Sequence, residues 1–370
     1  MRYIHQHKDW PKFTWNNTDI SRVLAHVRHQ QGLLMGRMDG LGFKFKEEAV
    51  LQTLTLEIIK SSEIEGEKLN EEQVRSSLAR RLGMDIPGLI AADRNVEGIV
   101  EMMLDATQRY DEILTTNRLF GWHSSLFPSG WSGMYKLTIG SWRNHEKGPM
   151  QVVSGGFGKE LVHFEAPHAD LLEAEMKEFL DWFNDEKNMD PVLKAAIAHL
   201  WFVTIHPFDD GNGRIGRTIA DMQLARSDGS AQRFYSMSTE IRKQRKGYYD
   251  ILEKTQKGNL DITKWLLWFL ECLEKGIINS DKIIENVLSK SRFWKKCVSI
   301  DINERQKLMI NKLLDGFDGK LNTSKWAKIA KCSHDTALRD INDLIQKGLM
   351  IKEDGGSKNT SYVLNLDGIQ

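Results

Sequence analysis

Along most of this 370-residue chain the apolar positions recur at helical spacing, with one interval of short β-prone runs in between. The fold class this predicts is mainly α. The densest segment, Pro191-Val-Leu-Lys-Ala-Ala-Ile-Ala-His-Leu-Trp-Phe-Val-Thr-Ile205, follows Asp190 as a cap and places proline at the first helical position, so it predicts a buried helix. Gly211 and Gly213 break the period, and Arg214 to Ala225 resumes it. Upstream, one helix is predicted near 18–39, and another from about Lys46 to Ser61-Ser-Glu-Ile-Glu65-Gly66. Between these and the buried helix, Gly133 to Gly140, Met150 to Gly155 and Leu161 to Pro167 are β-prone runs separated by glycines, a hairpin signal. Helical runs near 303–315, 323–330 and 334–347, then two β-prone segments flanking a turn up to Leu364, close the chain.

The break at Gly211 is where the chemistry collects, in His206-Pro-Phe-Asp-Asp-Gly-Asn-Gly-Arg-Ile-Gly-Arg217. Gly211, Asn212 and Gly213 let the main chain approach phosphate oxygens at the open N-terminus of the following helix, which binds anions. Asp210 at the mouth of that loop suits Mg²⁺, which takes one or two carboxylates and completes its shell with phosphate and water. Arg214 and Arg217 stand three apart and share a helix face, where guanidinium forks match phosphate geometry. His206, four residues before Asp210, can take a proton from an incoming hydroxyl as a neutral imidazole. Phe208 is expected to point inward. A zinc site at His199, His206 and Asp210 lacks the His-Glu-x-x-His spacing, and a structural site wants four N or S ligands.

These residues resemble the Fic family signature, His-x-Phe-x-(Asp/Glu)-Gly-Asn-Gly-Arg-x-x-Arg, at every specified position. The resemblance implies transfer of AMP from ATP to a Ser, Thr or Tyr hydroxyl of a target protein, with pyrophosphate leaving. It makes His206 the base, Asp210 the Mg²⁺ ligand, Gly211, Asn212 and Gly213 the anion hole, Arg214 a contact to the α/β-phosphates and Arg217 a contact to the γ-phosphate. Ser61-Ser-Glu-Ile-Glu65-Gly66 is similar to the family's inhibitory motif, (Ser/Thr)-x-x-x-Glu-(Gly/Asn), in which the glutamate pairs with the second arginine, here Arg217. Ser61 is expected only to steady the helix end. The β-prone runs, with Val152, Val153, Ser154 and Gly155, are expected to form a flap that holds the target by main-chain hydrogen bonds and borders the nucleotide. Here the match is looser, Tyr135-Lys136 standing where the family often has Tyr-Arg. Arg245 to Leu252 and Gln256 resemble the adenine-pocket segment, with Tyr248 or Tyr249 as its aromatic wall or as core.

Global properties add less. The 51 basic and 51 acidic residues balance, which argues against a general polyanion binder. Cys272, Cys297 and Cys332 show no paired pattern, as suits a reducing cytoplasm. The first ten residues carry no signal core, and Trp265 to Leu270 is too short to span a bilayer. The expected domains are an extension over 1–44, the Fic core over 45–280, a connector over 281–300, and 301–370 resembling a winged helix-turn-helix. That last segment holds eleven Lys/Arg against ten Asp/Glu. Asp335, Asp340 and Asp343 on its would-be recognition helix favour a protein-contact or dimer-positioning role, while Lys352 and Lys358 in the wing keep DNA binding open. The alternatives to adenylyl transfer are AMP removal or transfer of another phosphate-containing group, and a nucleotide-sensing DNA-binding regulator. Self-modification and a homodimer are both compatible with the sequence.

Overall fold

A computed structural model describes residues 3–40, 42–86, 88–146, 148–155, 161–314, 317, 319–353 and 360–366. The chain divides into two compact units, residues 1–280 and 281–370. Among the described residues there are fourteen α-helices and three two-stranded antiparallel sheets. The mainly helical expectation holds.

Unit 1 starts with α1 (Asn17–Asp39), α2 (Phe43–Ile64), α3 (Glu71–Arg81), α4 (Arg94–Gln108) and α5 (Thr116–Leu126). Two small hairpins follow, β1 (Trp131–Ser132) with β2 (Tyr135–Lys136), and β3 (Gln151–Ser154) with β4 (Leu161–Glu165). The three β-prone runs therefore do not form one sheet. Tyr135–Lys136 of the first run pairs with Trp131–Ser132 just upstream of it, the chain turning back at Gly133 at positive φ. The chain continues through α6 (Leu172–Asp185), α7 (Pro191–Ile205), α8 (Asn212–Asp228), α9 (Met237–Lys243), α10 (Arg245–Gln256) and α11 (Thr263–Lys296), within which the division falls.

The sequence-predicted buried helix is α7, in which every residue from Val192 to Ile205 is buried. Its start is fixed by Asp190, whose carboxylate accepts from the Val192 and Leu193 N–H groups and also holds Arg28 of α1 at 3.0 Å. α8 lies against α7, and Gly216 allows the close approach: a Cβ there would stand 2.8 Å from Val203 Cγ1. α2 is locked in place by Glu57, whose Oε2 accepts from Ser236 Oγ at 2.7 Å and from the Ser238 N–H at 3.0 Å at the start of α9.

Unit 2 has its own core, with Met309, Ile310, Trp326, Ile341, Leu344 and Leu349 all buried. Its elements run α12 (Glu304–Leu314), α13 (Thr323–Ile329), α14 (His334–Gln346), β5 (Met350–Lys352) and β6 (Tyr362–Leu364), β5 pairing with β6. The turn expected between those strands, with Lys358, lies outside the described residues. Among the described residues, no helix is long and apolar enough to cross a membrane.

Candidate active site

The site forms where α7 ends. His206 stops the helix in the left-handed region at φ 54°, an uncommon conformation for a side chain other than Asn, Asp or Gly, while its N–H still reaches Phe202 O at 3.0 Å. Arg143, itself buried, holds the turn from outside by donating from Nε to His206 O at 2.8 Å and from Nη2 to Pro167 O at 2.6 Å. Phe208 is fully buried and stacks on His123 with ring centroids 4.2 Å apart, an anchor of roughly 2–3 kcal/mol from apolar burial. The Asn212 side chain then closes the loop on itself: Oδ1 accepts from the Phe208 N–H at 3.0 Å, and Nδ2 donates to Phe208 O at 2.8 Å. Its amide is thus scaffold, which leaves only the backbone of Asn212 for an anion.

Gly211 caps α8 at φ 82° and brings no capping side chain. A Cβ there would meet Phe127 at 2.9 Å and Leu126 at 3.2 Å, so both space and conformation require glycine. The first-turn N–H groups of α8 have no intrahelical acceptor by helix geometry and point into the loop.

The His206 ring is held in one tautomer. Nδ1 lies 3.2 Å from Val203 O, and a carbonyl can only accept, so Nδ1 carries the hydrogen and Nε2 keeps the lone pair. Burial pushes the ring's pKa down from 6.5 to about 4, and the positive charge of Arg143 adds to this, so the imidazole is neutral near pH 7. Asp210 is held at both oxygens, Oδ2 by Ser132 Oγ at 2.5 Å and Oδ1 by the Gly211 N–H at 2.6 Å. Asp209 accepts from the Thr138 N–H at 3.0 Å. The segment from Ser132 to Arg143 therefore braces the catalytic loop.

The two arginines are buried, Arg217 at 3% exposure and Arg214 at 7%, and each meets a carboxylate from the end of α2. Arg217 Nη1 stands 2.8 Å from Glu65 Oε1, while its Nε and Nη2 donate at 2.9 Å to the hydroxyl and carbonyl of Ser61. Ser61 thus binds the arginine as well as ending a helix, a larger part than the sequence suggests. Glu65 Oε2 accepts from Tyr249 OH at 3.1 Å, and Ile64 O accepts from Arg245 Nε at 2.5 Å. The Glu65 carboxylate covers the first turn of α8, since a Cβ on Gly213 would stand 2.2 Å from its Oε1. Arg214 pairs with Glu67 at 2.5 Å, and its guanidinium lies over the Phe127 ring at 5.0 Å.

The remaining sequence candidates divide. Tyr248 is buried with its hydroxyl 2.8 Å from His199 Nε2, the core reading, whereas Tyr249 is half-buried at the site. Gln256 Nε2 donates to Thr204 Oγ1 at 3.3 Å and ties α10 to α7. On the β3–β4 hairpin Val152 is half-buried, and Val153, Ser154 and Gly155 are exposed. Ser154 Oγ lies 2.6 Å from His163 Nε2, and His163 Nδ1 lies 2.7 Å from Glu253 Oε2, which fastens this hairpin to α10. Sequence reasoning missed Ser132, Arg143, His123 and Glu67. Only Glu67 left a signal, two residues after Glu65 across a glycine.

The site thus joins a buried histidine, an open helix start and two buried arginines within one helical fold. Residues 113–224 match the Fic/DOC family. Residues 3–84, which include Ser61 to Gly66, match a domain of unknown function, DUF4172. The protein adenylyltransferase fic-1 of Caenorhabditis briggsae is 28% identical over 211 residues, covering 56% of this chain and 36% of that protein. Its namesake from Caenorhabditis elegans is 30% identical over 178 residues, covering 48% and 32%. The protein adenylyltransferase Fic of Drosophila willistoni is 29% identical over 243 residues, covering 63% and 42%. The chain thus spans well under half the length of these relatives. A Fic family protein from Desulfovibrio desulfuricans G20 shares the fold, with a TM-score of 0.54 at 21% identity over 96% of this chain and 98% of that one.

Proposed function

We propose that this protein is a self-inhibited protein adenylyltransferase that moves AMP from ATP to a hydroxyl side chain of a target protein. The observation that carries this reading is the orientation of His206, neutral, with Nδ1 donating and Nε2 free, at the mouth of the α8 anion site. A hydroxyl brought to Nε2 loses its proton there as its oxygen attacks the α-phosphorus. The bond to the β-phosphate oxygen breaks and pyrophosphate leaves, its charge held by the α8 N–H groups and the two arginines.

The donors fit the nucleotide, because Arg214 Nε is buried with no hydrogen-bond partner and a phosphate oxygen satisfies such a group. They also fit Mg²⁺. Asp210 at the loop mouth would supply the single carboxylate of an ion that takes most of its shell from phosphate and water. When bound, the ion neutralises phosphate charge.

In the resting state the Glu65 carboxylate occupies Arg217 and the helix start, which supports the inhibitory reading of Ser61 to Gly66. Incubating Glu65→Gly with α-labelled ATP and cell lysate tests the function. Covalent AMP on protein is the expected result. Nucleotide binding without any covalent label would overturn it in favour of AMP removal or nucleotide sensing.

A further inference from the structure

α2 does not place one carboxylate against the arginines of α8; it places two. The helix ends at Ile64 and turns at Gly66, at φ 86°. The Gly66 N–H reaches Glu63 O at 3.1 Å, and the Glu67 N–H reaches Ser62 O at 3.0 Å. This pair of bonds is the Schellman ending, in which a left-handed glycine folds the next residue back along its own helix. Glu67 is therefore fixed by the same backbone hydrogen bonds as Glu65, and both side chains point at α8. Glu65 takes Arg217 at 2.8 Å, and Glu67 takes Arg214 at 2.5 Å.

The two pairs do not have the same effect. Arg217 also holds Ser61 through Nε and Nη2, so two of its three nitrogens keep partners without its glutamate, and Nη1 faces only that carboxylate. Among the described residues Arg214 shows one polar contact, Glu67, besides the aromatic face of Phe127, and its Nε has no partner. A buried guanidinium satisfied at one corner is a strong anion site held by a single competitor.

We propose that Glu67 is a second inhibitory carboxylate, setting the resting affinity for any phosphate chain by occupying Arg214. The proposal rests on the adenylyltransferase reading for the assignment of Arg214 to the inner phosphates and Arg217 to the γ-phosphate. Glu65 then discriminates by chain length, since only ATP carries a γ-phosphate to compete for Arg217. Glu67 does not, because ADP and ATP both carry the inner phosphates.

The test is calorimetric binding of ADP and of ATP, each with Mg²⁺, to full-length wild type, Glu67→Gln, Glu67→Ala and Glu65→Gly. Glu67→Gln and Glu67→Ala are expected to tighten ADP and ATP alike, by roughly three- to thirty-fold, the scale of a charge-assisted pair. Glu65→Gly is expected to tighten ATP while leaving ADP within about twofold. Glu67 is one-third exposed and its backbone bonds survive the change, so folding is checked by an unchanged thermal midpoint. ADP affinity within twofold of wild type in both folded Glu67 variants would overturn the proposal. Because binding is read without transfer, a gain in ADP affinity together with no AMP transfer by Glu65→Gly would sink the transferase reading and leave Glu67 as the gate of a nucleotide site.

Discussion

At the scale of single residues, the proposed base depends on one ring nitrogen being engaged and the other left free. His206 spends Nδ1 on Val203 O and keeps Nε2, and burial with Arg143 holds the ring's pKa near 4. For a histidine with a lowered folded pKa, the neutral form is native. Its stabilising share is full above the ordinary 6.5 and declines as pH falls from there toward 4. The same shift sets activity. AMP transfer by Glu65→Gly should hold level from pH 8 down and lose its base only as the pH approaches about 4; an acid limb centred on 6.5 would mean the ring titrates as if exposed. His206→Ala should keep ATP affinity, read by calorimetry, and lose about 10²–10⁴-fold in transfer. Asp210→Ala should abolish transfer and make ATP binding insensitive to Mg²⁺ in a titration, leaving Ser132 without its acceptor.

At the scale of elements, the catalytic loop and both arginines were legible because their constraints are local. Asp190, Pro191, Gly211 and Gly213 announce where α7 begins and α8 starts, and Phe208 is apolar in a polar loop. What the sequence could not give depends on partners far along the chain. Ser132 meets Asp210 across 78 positions, and Glu67 meets Arg214 across 147. Ser61 looked like a helix end and proved to be a ligand of Arg217, because only packing decides which neighbour a hydroxyl finds. Ser61→Ala strips one of Arg217's donors of its acceptor and loosens α2 against α8, so it should activate AMP incorporation measurably, by about a fifth to a half of the Glu65→Gly effect on a logarithmic scale. The double variant Glu65→Gly/Arg217→Ala should fall back below Glu65→Gly. A Ser61→Ala rate equal to wild type would return Ser61 to a helix-end role.

At the scale of the whole molecule, the two units differ in what their charges do. In unit 1 the buried arginines face a site, whereas in unit 2 the charges near α14 are spent on that unit's own structure. Asp340 is held by Arg305 Nε at 2.8 Å and by Asn303 Nδ2 at 3.0 Å, and Asp343 by Lys347 Nζ at 2.5 Å and Gln306 Nε2 at 2.7 Å. Lys347 beside it holds the Asp343 carboxyl below its ordinary range, so α14 stays acidic at any pH the folded unit meets in a cell. With Asp335, Asp340 and Asp343 against Arg339, α14 offers phosphates no net positive charge where a recognition helix must meet them. Non-specific DNA affinity comes from phosphate neutralisation and falls with salt in proportion to the number of contacts. Fluorescence anisotropy with labelled duplex DNA should therefore show weak binding at 50 mM salt that has vanished by about 150 mM, with a log–log slope of no more than about 2. A slope of 6 or more, with binding that survives 150 mM salt, would make unit 2 a DNA reader and put the protein-contact role aside. Asp340→Asn separates the two causes, because it removes charge while keeping an acceptor for Arg305; if repulsion governs, that variant binds DNA more tightly than wild type.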